Sequence, residues 1–376
     1  MSDKHVTSNW KILKMNVIFD KKVSKALKGI LIIIMYWSHM FNHPERLQKE
    51  IEWISLFKIG GGKTVEEFLV PFFHVAVPCF FFIAGYGYYI SNLNRTKSAK
   101  KQILGLYTKY WIVFAAFIPL CAILGKIQIT PVSLLLNLIG LSSSYCGEWW
   151  FLSTYVEIIF VFSLIDKYIR NHNVKTIYVF TVSVALSFAG YLINAVLSHV
   201  GIDTDNLILH ELYYFLIKQP LFIIGWCLAR CDYIKKVNAF LNRVESKKKV
   251  LLICILCIFT FTFQYITLIP ETYLYIVYLP VFVYMFSLAS LKMPKLISQI
   301  FEEFGKYSTY MWLCHSILLY KLVQKYIYFP KISILCWMNL LIISWICSIV
   351  LSFVEKKICS FTAYIKYDLN KNVGTK

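Results

Sequence analysis

The sequence predicts an all-α polytopic integral membrane protein with about ten transmembrane helices and both termini in the cytoplasm. Of its 376 residues, 58% are hydrophobic and 16% are charged, and the mean hydropathy is +0.61. A typical soluble domain carries about 25% charged residues. The charges lie between apolar runs of about 20 residues, which is the length that a helix needs to cross the hydrocarbon core of a bilayer.

Apolar runs follow one another along nearly the whole chain. The predicted spans cover residues 25–42, 68–91, 103–125, 148–166, 174–197, 212–231, 249–268, 271–291, 308–328 and 332–354. The apolar stretch 131–141 is shorter, so we expect a re-entrant or interfacial piece there. We predict one transmembrane domain over residues 25–354, between a cytoplasmic N-terminal segment 1–24 and a cytoplasmic tail 355–376.

The charges of the loops predict the orientation. Residues 1–28 contain seven Lys against two Asp, and loop 92–102 contains four basic residues and no acid. Loop 198–211, by contrast, has three acids and no Lys or Arg. Basic loops stay in the cytoplasm, so the first helix runs from inside to outside. The net charge of +19 is explained by this topology and by anionic ligands, and we expect no nucleic-acid partner.

The first predicted span carries two functional candidates, Lys28 and His39. They are eleven residues apart, so they share one helix face and lie roughly 16 Å apart along the axis. A titratable group within the membrane is costly and is a functional candidate by default. His39 and His43 have the i, i+4 spacing of metal ligands, but no carboxylate follows at metal spacing, and Pro44 should end the helix. We therefore expect no metal.

Four further ionisable residues lie in or beside predicted spans: His74, Glu148, Glu157 and His315. Facing a common cavity, they would suit proton transfer in catalysis or in transport. Each also has a structural explanation, because a membrane histidine often only bonds between helices and Glu148 could be interfacial. An unpaired Glu157 at mid-depth is harder to explain structurally, since it would cost several kcal/mol.

A short basic run lies in the first cytoplasmic loop between spans. Its cations are Arg95, Lys97, Lys100 and Lys101. Topology alone would account for much of this charge. The functional interpretation is a site for a phosphorylated cofactor at the inner mouth, because Lys and Arg are the usual partners of phosphate.

Four blocks of the sequence resemble the bacterial membrane O-acyltransferases of the acyltransferase-3 family. They are LKGILIIIMYWSHMF, VPCFFFIAGYGYYI, EWWFLSTYVEIIFVF and FGKYSTYMWLCHSI. The first resembles the family's Leu-Arg-Gly signature followed by a histidine, with Lys28 at the arginine position and His39 at the histidine position. The last resembles the Gly-Lys-x-Ser block that ends in Tyr-Leu-x-His, with Trp312 at the tyrosine position and His315 at the histidine.

Two positions depart from the family pattern. Lys28 replaces an arginine, which removes bidentate binding of an anion. The family also tends to have paired arginines at the start of the third span, where this sequence has Gln102 and Gly105. Lys100 and Lys101 are the candidates to substitute for them.

The resemblance implies a stand-alone O-acetyltransferase of the bacterial cell membrane. The donor would be acetyl-CoA or another acyl-CoA, with its phosphates held by Lys28, Arg95, Lys97, Lys100 and Lys101. The acceptor would be a sugar hydroxyl of a surface polysaccharide (capsular, exopolysaccharide or O-antigen) or of its lipid-linked precursor. The acyl group itself, acetyl or succinyl, stays open, as does a homo-oligomer.

The resemblance also implies roles for the candidate residues. His39 would be the general base or, alternatively, carry the acyl group itself. Glu148 would orient the imidazole as in a triad, and His315 completes the catalytic candidates. The acceptor candidates are His74, Trp149, Trp150 and Glu157, although tryptophans at this depth also form the interfacial aromatic belt.

A transporter or polysaccharide exporter is the alternative prediction. It would explain ten spans, buried His and Glu residues and a positive inner side. Against it, the sequence shows no inverted halves with broken helices at corresponding positions. The Lys28–His39 spacing and the late GKYS block favour the acyltransferase.

Overall fold

The computed structural model describes residues 17–93, 98–203, 206–262 and 271–373. Within these residues the protein is an all-α bundle, as predicted. Its α-helices are α1 Lys21–Asn42, α2 Val65–Phe73, α3 Ala76–Leu93, α4 Ala99–Ile123, α5 Pro131–Leu138, α6 Trp150–Asn171, α7 Thr176–His199, α8 Leu207–Arg230, α9 Tyr233–Arg243, α10 Ser246–Thr262, α11 Glu271–Ser290, α12 Lys295–Ile317, α13 Gln324–Ile327 and α14 Ser333–Val373.

Seven helical segments of the described chain are long and apolar enough to cross a membrane. They are Val65–Leu93, Ala99–Ile123, Gly147–Asn171, Thr176–His199, Leu207–Arg230, Glu271–Ser290 and Ser333–Thr362. The first predicted span is the helix α1, whose Lys28 and His39 make it less apolar. Of the seventh predicted span, residues 263–268 lie outside the described part of the chain.

Several boundaries differ from the sequence-based prediction. The second span is broken between α2 and α3, because Pro78 has no N–H to bond the carbonyl of His74 four residues earlier. The ninth starts at Lys295, and α12 ends at Ile317 in a π-helical turn. The first half of α12 is charged, so it lacks the apolar run from which a membrane span is predicted. The last helix, α14, continues through the predicted tail as far as Val373.

The apolar stretch 131–141 contains the short helix α5, which is eight residues long. Thr130 caps it, and Pro131 occupies its first turn, where a missing N–H costs nothing. Three aromatic side chains of α4 hold it by donating hydrogen bonds to its last carbonyls: Tyr107 to Ile139, Tyr110 to Asn137 and Trp111 to Leu138.

Two helix crossings bring backbones into direct contact through paired glycines. Where α1 meets α12, a Cβ on Gly29 would overlap the Phe301 carbonyl, and one on Gly305 would overlap the Lys25 carbonyl. Small residues let membrane helices approach closely, so that van der Waals contacts hold them together. This crossing sets the relative position of the two helices that carry His39 and His315.

The crossing of α3 and α8 has the same construction. A Cβ on Gly85 would overlap the Phe222 carbonyl, and one on Gly225 would overlap the Phe82 carbonyl. Gly85 belongs to the second sequence block, and the close approach of α8 leaves no room for a side chain at this position.

We expect Gly85→Ala to lower the stability of the folded protein by about 3 kcal/mol, because the added methyl forces α3 away from α8. The measurement is the thermal midpoint of the detergent-purified protein. Gly87→Ala is the matched control on the same helix, since nothing lies within 4 Å of its Cβ position. Equal midpoints for the two variants would contradict the close-contact role of Gly85.

The loop after α1 is anchored by a buried carboxylate. Glu66, at the start of α2, accepts hydrogen bonds from the hydroxyls of Ser55 and Ser333 and from the backbone N–H of Leu56 at 3.0 Å. Its side chain is fully buried. This anchor holds loop residues 43–64 against α2 and α14, close to the C-terminal end of α1.

Candidate active site

The three predicted catalytic residues, His39, Glu148 and His315, lie together at the C-terminal end of α1. The Nδ1 atom of His39 is 3.8 Å from the Oε1 atom of Glu148. The ring centroids of His39 and His315 are 5.0 Å apart. Glu148 comes from the 3₁₀ turn Gly147–Trp149 that leads into α6, and His315 comes from the last turn of α12. Three distant parts of the chain therefore form one site.

Glu148 has a second partner that the sequence analysis did not single out. Arg46, in the loop after α1, donates from Nη1 to the same Oε1 atom at 2.8 Å. The thiol of Cys146 lies 3.6 Å from the other carboxylate oxygen. Because the Glu148 side chain is only 9% exposed, Arg46 supplies the charge that a buried carboxylate needs.

His315 is held in one tautomer. Its Nδ1 lies 2.6 Å from the carbonyl oxygen of Trp312, which can only accept, so this nitrogen carries the proton. The Nε2 atom then accepts from the Ser316 hydroxyl at 3.2 Å. One face of the ring stacks on Tyr36, with centroids 4.9 Å apart.

Exposure separates the roles of the two histidines. His315 is fully buried and both of its ring nitrogens are bonded within the protein. The His39 side chain is 22% exposed. His39 is therefore the more accessible of the two histidines, and the buried ring of His315 packs beside it.

Tyr320 ties the loop and α1 together beside the site. Its hydroxyl donates to the carbonyl oxygen of His39 at 2.5 Å. The guanidinium of Arg46 lies over its ring, 5.6 Å from the centroid. A cation over an aromatic face is stabilised by the ring quadrupole, which helps to orient Arg46 towards Glu148.

A cavity of about 550 Å³ lies between α1, α3, α4, α6, α12 and α14. Its lining on α1 and α12 reaches Met35 and Trp312, about one helical turn before His39 and His315. This volume is in the usual range for small-molecule sites, about 300–1,000 Å³. Cations line one end, and apolar side chains line the other. Its lining includes Lys28, Lys101, Gln102, Gly105, Lys109, Glu355, Met35, Phe80, Phe151 and Trp312.

Of the predicted cofactor-binding residues, Lys28 and Lys101 line this cavity. Lys100 is exposed at the start of α4 and does not line it. Arg95 and Lys97 lie outside the described residues.

The start of α4 also contributes the two positions that depart from the family pattern, Gln102 and Gly105, which both line the cavity. One turn further, Lys109 lines it too. Lys109 is ion-paired with Glu355 of α14 and lies 5.1 Å from the centroid of the Tyr310 ring. The sequence signal that could have identified Lys109 is its position as a charged residue within the apolar run of α4. Its partner lies in the segment predicted to be a tail.

The predicted acceptor residues His74 and Glu157 lie apart from the histidine cluster. His74 is exposed at the break between α2 and α3. Glu157 is half-buried on α6, and its electrostatic neighbour is Glu211 at the start of α8.

The two neighbouring tryptophans have different surroundings. Trp149 is 1% exposed, its ring contacts Tyr110 and Phe114, and its Nε1 donates to the carbonyl of Leu313 at 3.0 Å. Trp150 is partly exposed and lies 4.9 Å from Tyr214 between ring centroids. Trp150 is thus the more accessible of the pair.

No group of three or more His, Cys, Asp and Glu side chains in the described residues could hold a metal ion. His43 is i+4 from His39, but its Nδ1 bonds Glu45 at 3.0 Å.

The fold and the site define a class: a multi-pass membrane protein with a histidine–carboxylate pair next to a cation-lined cavity. A family model described as an acyltransferase domain matches residues 24–354. The chain therefore belongs to the acyltransferase-3 family, as its four sequence blocks predict, and is a membrane acyltransferase. No curated protein and no solved structure matches the chain.

Proposed function

We propose that the protein transfers an acetyl or similar acyl group from acyl-CoA to a sugar hydroxyl of a bacterial surface polysaccharide or its lipid-linked precursor. The observation that carries the proposal is the cavity beside the histidine cluster, with cations at one end. Lys28 and His39 lie on one face of α1, so one helix links the cation end to the base.

The shape of the cavity supports a donor with anionic phosphates at one end and a thioester at the other. Lys28 and Lys101 supply positive charge for the phosphates, whereas Lys109 is already paired with Glu355, which lines the cavity too. Met35, Phe80 and other apolar side chains line the far end, where the uncharged arm of coenzyme A would lie.

In the transfer step the acceptor hydroxyl oxygen attacks the thioester carbonyl carbon. His39 takes the hydroxyl proton as general base, a C–O bond forms, and the C–S bond breaks. The same imidazole returns the proton to the sulfur, so coenzyme A leaves as the thiol. Glu148 stabilises the imidazolium through its Oε1, 3.8 Å from Nδ1, which leaves Nε2 to take the proton.

The acceptor would approach His39 from the side where its ring is exposed. Trp150 offers a partly exposed aromatic face in the same part of the protein, at the start of α6. Positive-inside topology puts this end of α1 on the outer side of the bacterial cell membrane, which suits a surface glycan.

The test is transfer of radiolabelled acetyl from acetyl-CoA to glycan in membranes that contain the protein. We expect label in the glycan, and we expect Lys101→Ala to raise KM for acetyl-CoA about tenfold without changing kcat, because a phosphate contact of about 1.4 kcal/mol is lost.

Lys100→Ala is the matched control, since this neighbouring lysine does not line the cavity. Its KM should equal that of the wild type. Label that never reaches glycan would exclude the proposed acceptor. Equal KM values for Lys101→Ala and wild type would exclude this cavity as the site of the coenzyme phosphates.

A further inference from the structure

Two aromatic rings line the apolar end of the cavity. Phe151 of α6 and Trp312 of α12 both line it, and their ring centroids are 5.2 Å apart at an interplanar angle of 72°. Phe151 is itself supported by Phe81, with centroids 4.5 Å apart. We refer to Phe151 and Trp312 as the aromatic pair.

The aromatic pair lies between the cavity and the histidines. Met35 lines the cavity, whereas His39, about 6 Å further along α1, does not. Trp312 lines it as well, whereas His315, about 4.5 Å further along α12, does not. The aromatic pair therefore lies at the part of the cavity that is nearest to His39 and His315 along α1 and α12.

We propose that the aromatic pair selects the donor by the size of its acyl group and restricts the protein to acetyl-CoA and similarly short thioesters. The proposal rests on the proposed function and adds the substrate class to it. Well-packed aromatic rings between two helices resist displacement, since overpacking forces side chains out of their preferred rotamers. A short acyl group fits past them, and each further methylene makes the passage less favourable.

Trp312 has the larger effect of the two because its indole is the bulkier ring. Its backbone carbonyl, not its side chain, bonds His315 at 2.6 Å. A substitution of the indole therefore widens the passage while the hydrogen bond that orients His315 is kept. This separates a role in selecting the acyl group from a role in positioning the histidine.

The transfer step itself is unchanged for any acyl length. The acceptor oxygen forms the new bond to the acyl carbon, the C–S bond breaks, and the hydroxyl proton reaches the sulfur through His39. The aromatic pair takes no part in these bond changes. Its removal should therefore alter kcat/KM for long donors far more than for acetyl-CoA.

The experiment measures the release of coenzyme A from acetyl-, butyryl- and octanoyl-CoA by membranes that contain the wild type or Trp312→Ala. Membranes with His39→Asn give the background. We expect wild type to use acetyl-CoA about 100-fold more efficiently than octanoyl-CoA, and Trp312→Ala to reduce this ratio to about tenfold or less.

Trp111→Ala is the matched control. This tryptophan is exposed on α4, away from the cavity, so the ratio should stay at the wild-type value. If Trp312→Ala does not accumulate in membranes, Phe151→Leu widens the same passage from the opposite side and carries the same expectation.

The outcomes separate the two proposals. Equal use of the three thioesters by the wild type, or an unchanged ratio in both aromatic-pair variants, overturns the size selection and leaves the acyltransferase function standing. Release of coenzyme A that never exceeds the His39→Asn background, for any thioester, overturns the proposed donor and this inference with it.

Discussion

Replacing His39 by Asn should reduce acyl transfer by about 10³-fold, the usual range for the loss of a positioned general base. Of the two clustered histidines, His39 is the one with an exposed side chain, at 22%. Asn has a similar polarity but cannot take the proton of the acceptor hydroxyl. Because His39 does not line the donor cavity, KM for acetyl-CoA should stay near the wild-type value.

The measurement is kcat and KM for acetyl transfer to glycan in membranes with matched amounts of protein. His43→Asn is the control, since His43 lies one turn away and bonds Glu45 outside the cluster. It should retain full activity. Transfer by His39→Asn at more than a tenth of the wild-type rate would rule out His39 as the base.

Glu148→Gln should reduce kcat by roughly 10³-fold, because a neutral amide no longer stabilises the imidazolium of His39. The same change leaves the Arg46 guanidinium without its charged partner at 2.8 Å. The Arg46 side chain is 43% exposed, so water can solvate its charge, but the ion pair that orients it towards the site is lost. The site should therefore lose both its electrostatic support and the order of the loop that carries Arg46.

A positioning role predicts a kcat effect without a KM effect, and partial recovery in Glu148→Asp, which keeps the charge but shortens the side chain. Glu45→Gln is the control, because this exposed carboxylate lies outside the cluster and bonds only His43 among the described contacts. Full activity in Glu148→Gln would show that His39 works without a carboxylate. A raised KM for acetyl-CoA would instead point to a role in donor binding.

Much of the fold was predictable, because hydropathy is a property of each segment by itself. A run of about 20 apolar residues favours a helix in a bilayer, whatever surrounds it, because a helix bonds all of its backbone groups within the segment. Hydropathy does not predict long helices that carry charged residues. The first half of α12 carries Glu302, Glu303 and Lys306, so it was not part of the predicted span, although it packs against α1.

The site was predictable only where two residues share one helix. Lys28 and His39 lie on one face of α1 because helical geometry requires it. The meeting of His39 with Glu148 and His315 depends on how α1, α6 and α12 cross, and paired glycines set the crossing of α1 with α12. Arg46 lay in a loop whose path depends on the buried anchor at Glu66, so no local pattern pointed to it.

The sequence by itself determined the membrane class, the helical spans, the family and the helix that carries the base. The tertiary structure alone decided which carboxylate faces His39, that Lys109 pairs with Glu355 in the cavity lining, and that Phe151 and Trp312 meet at its apolar end. The physical reason is the distance along the chain over which each effect acts. Hydropathy and helical periodicity act over one segment, whereas a site depends on contacts between residues that are far apart in the chain.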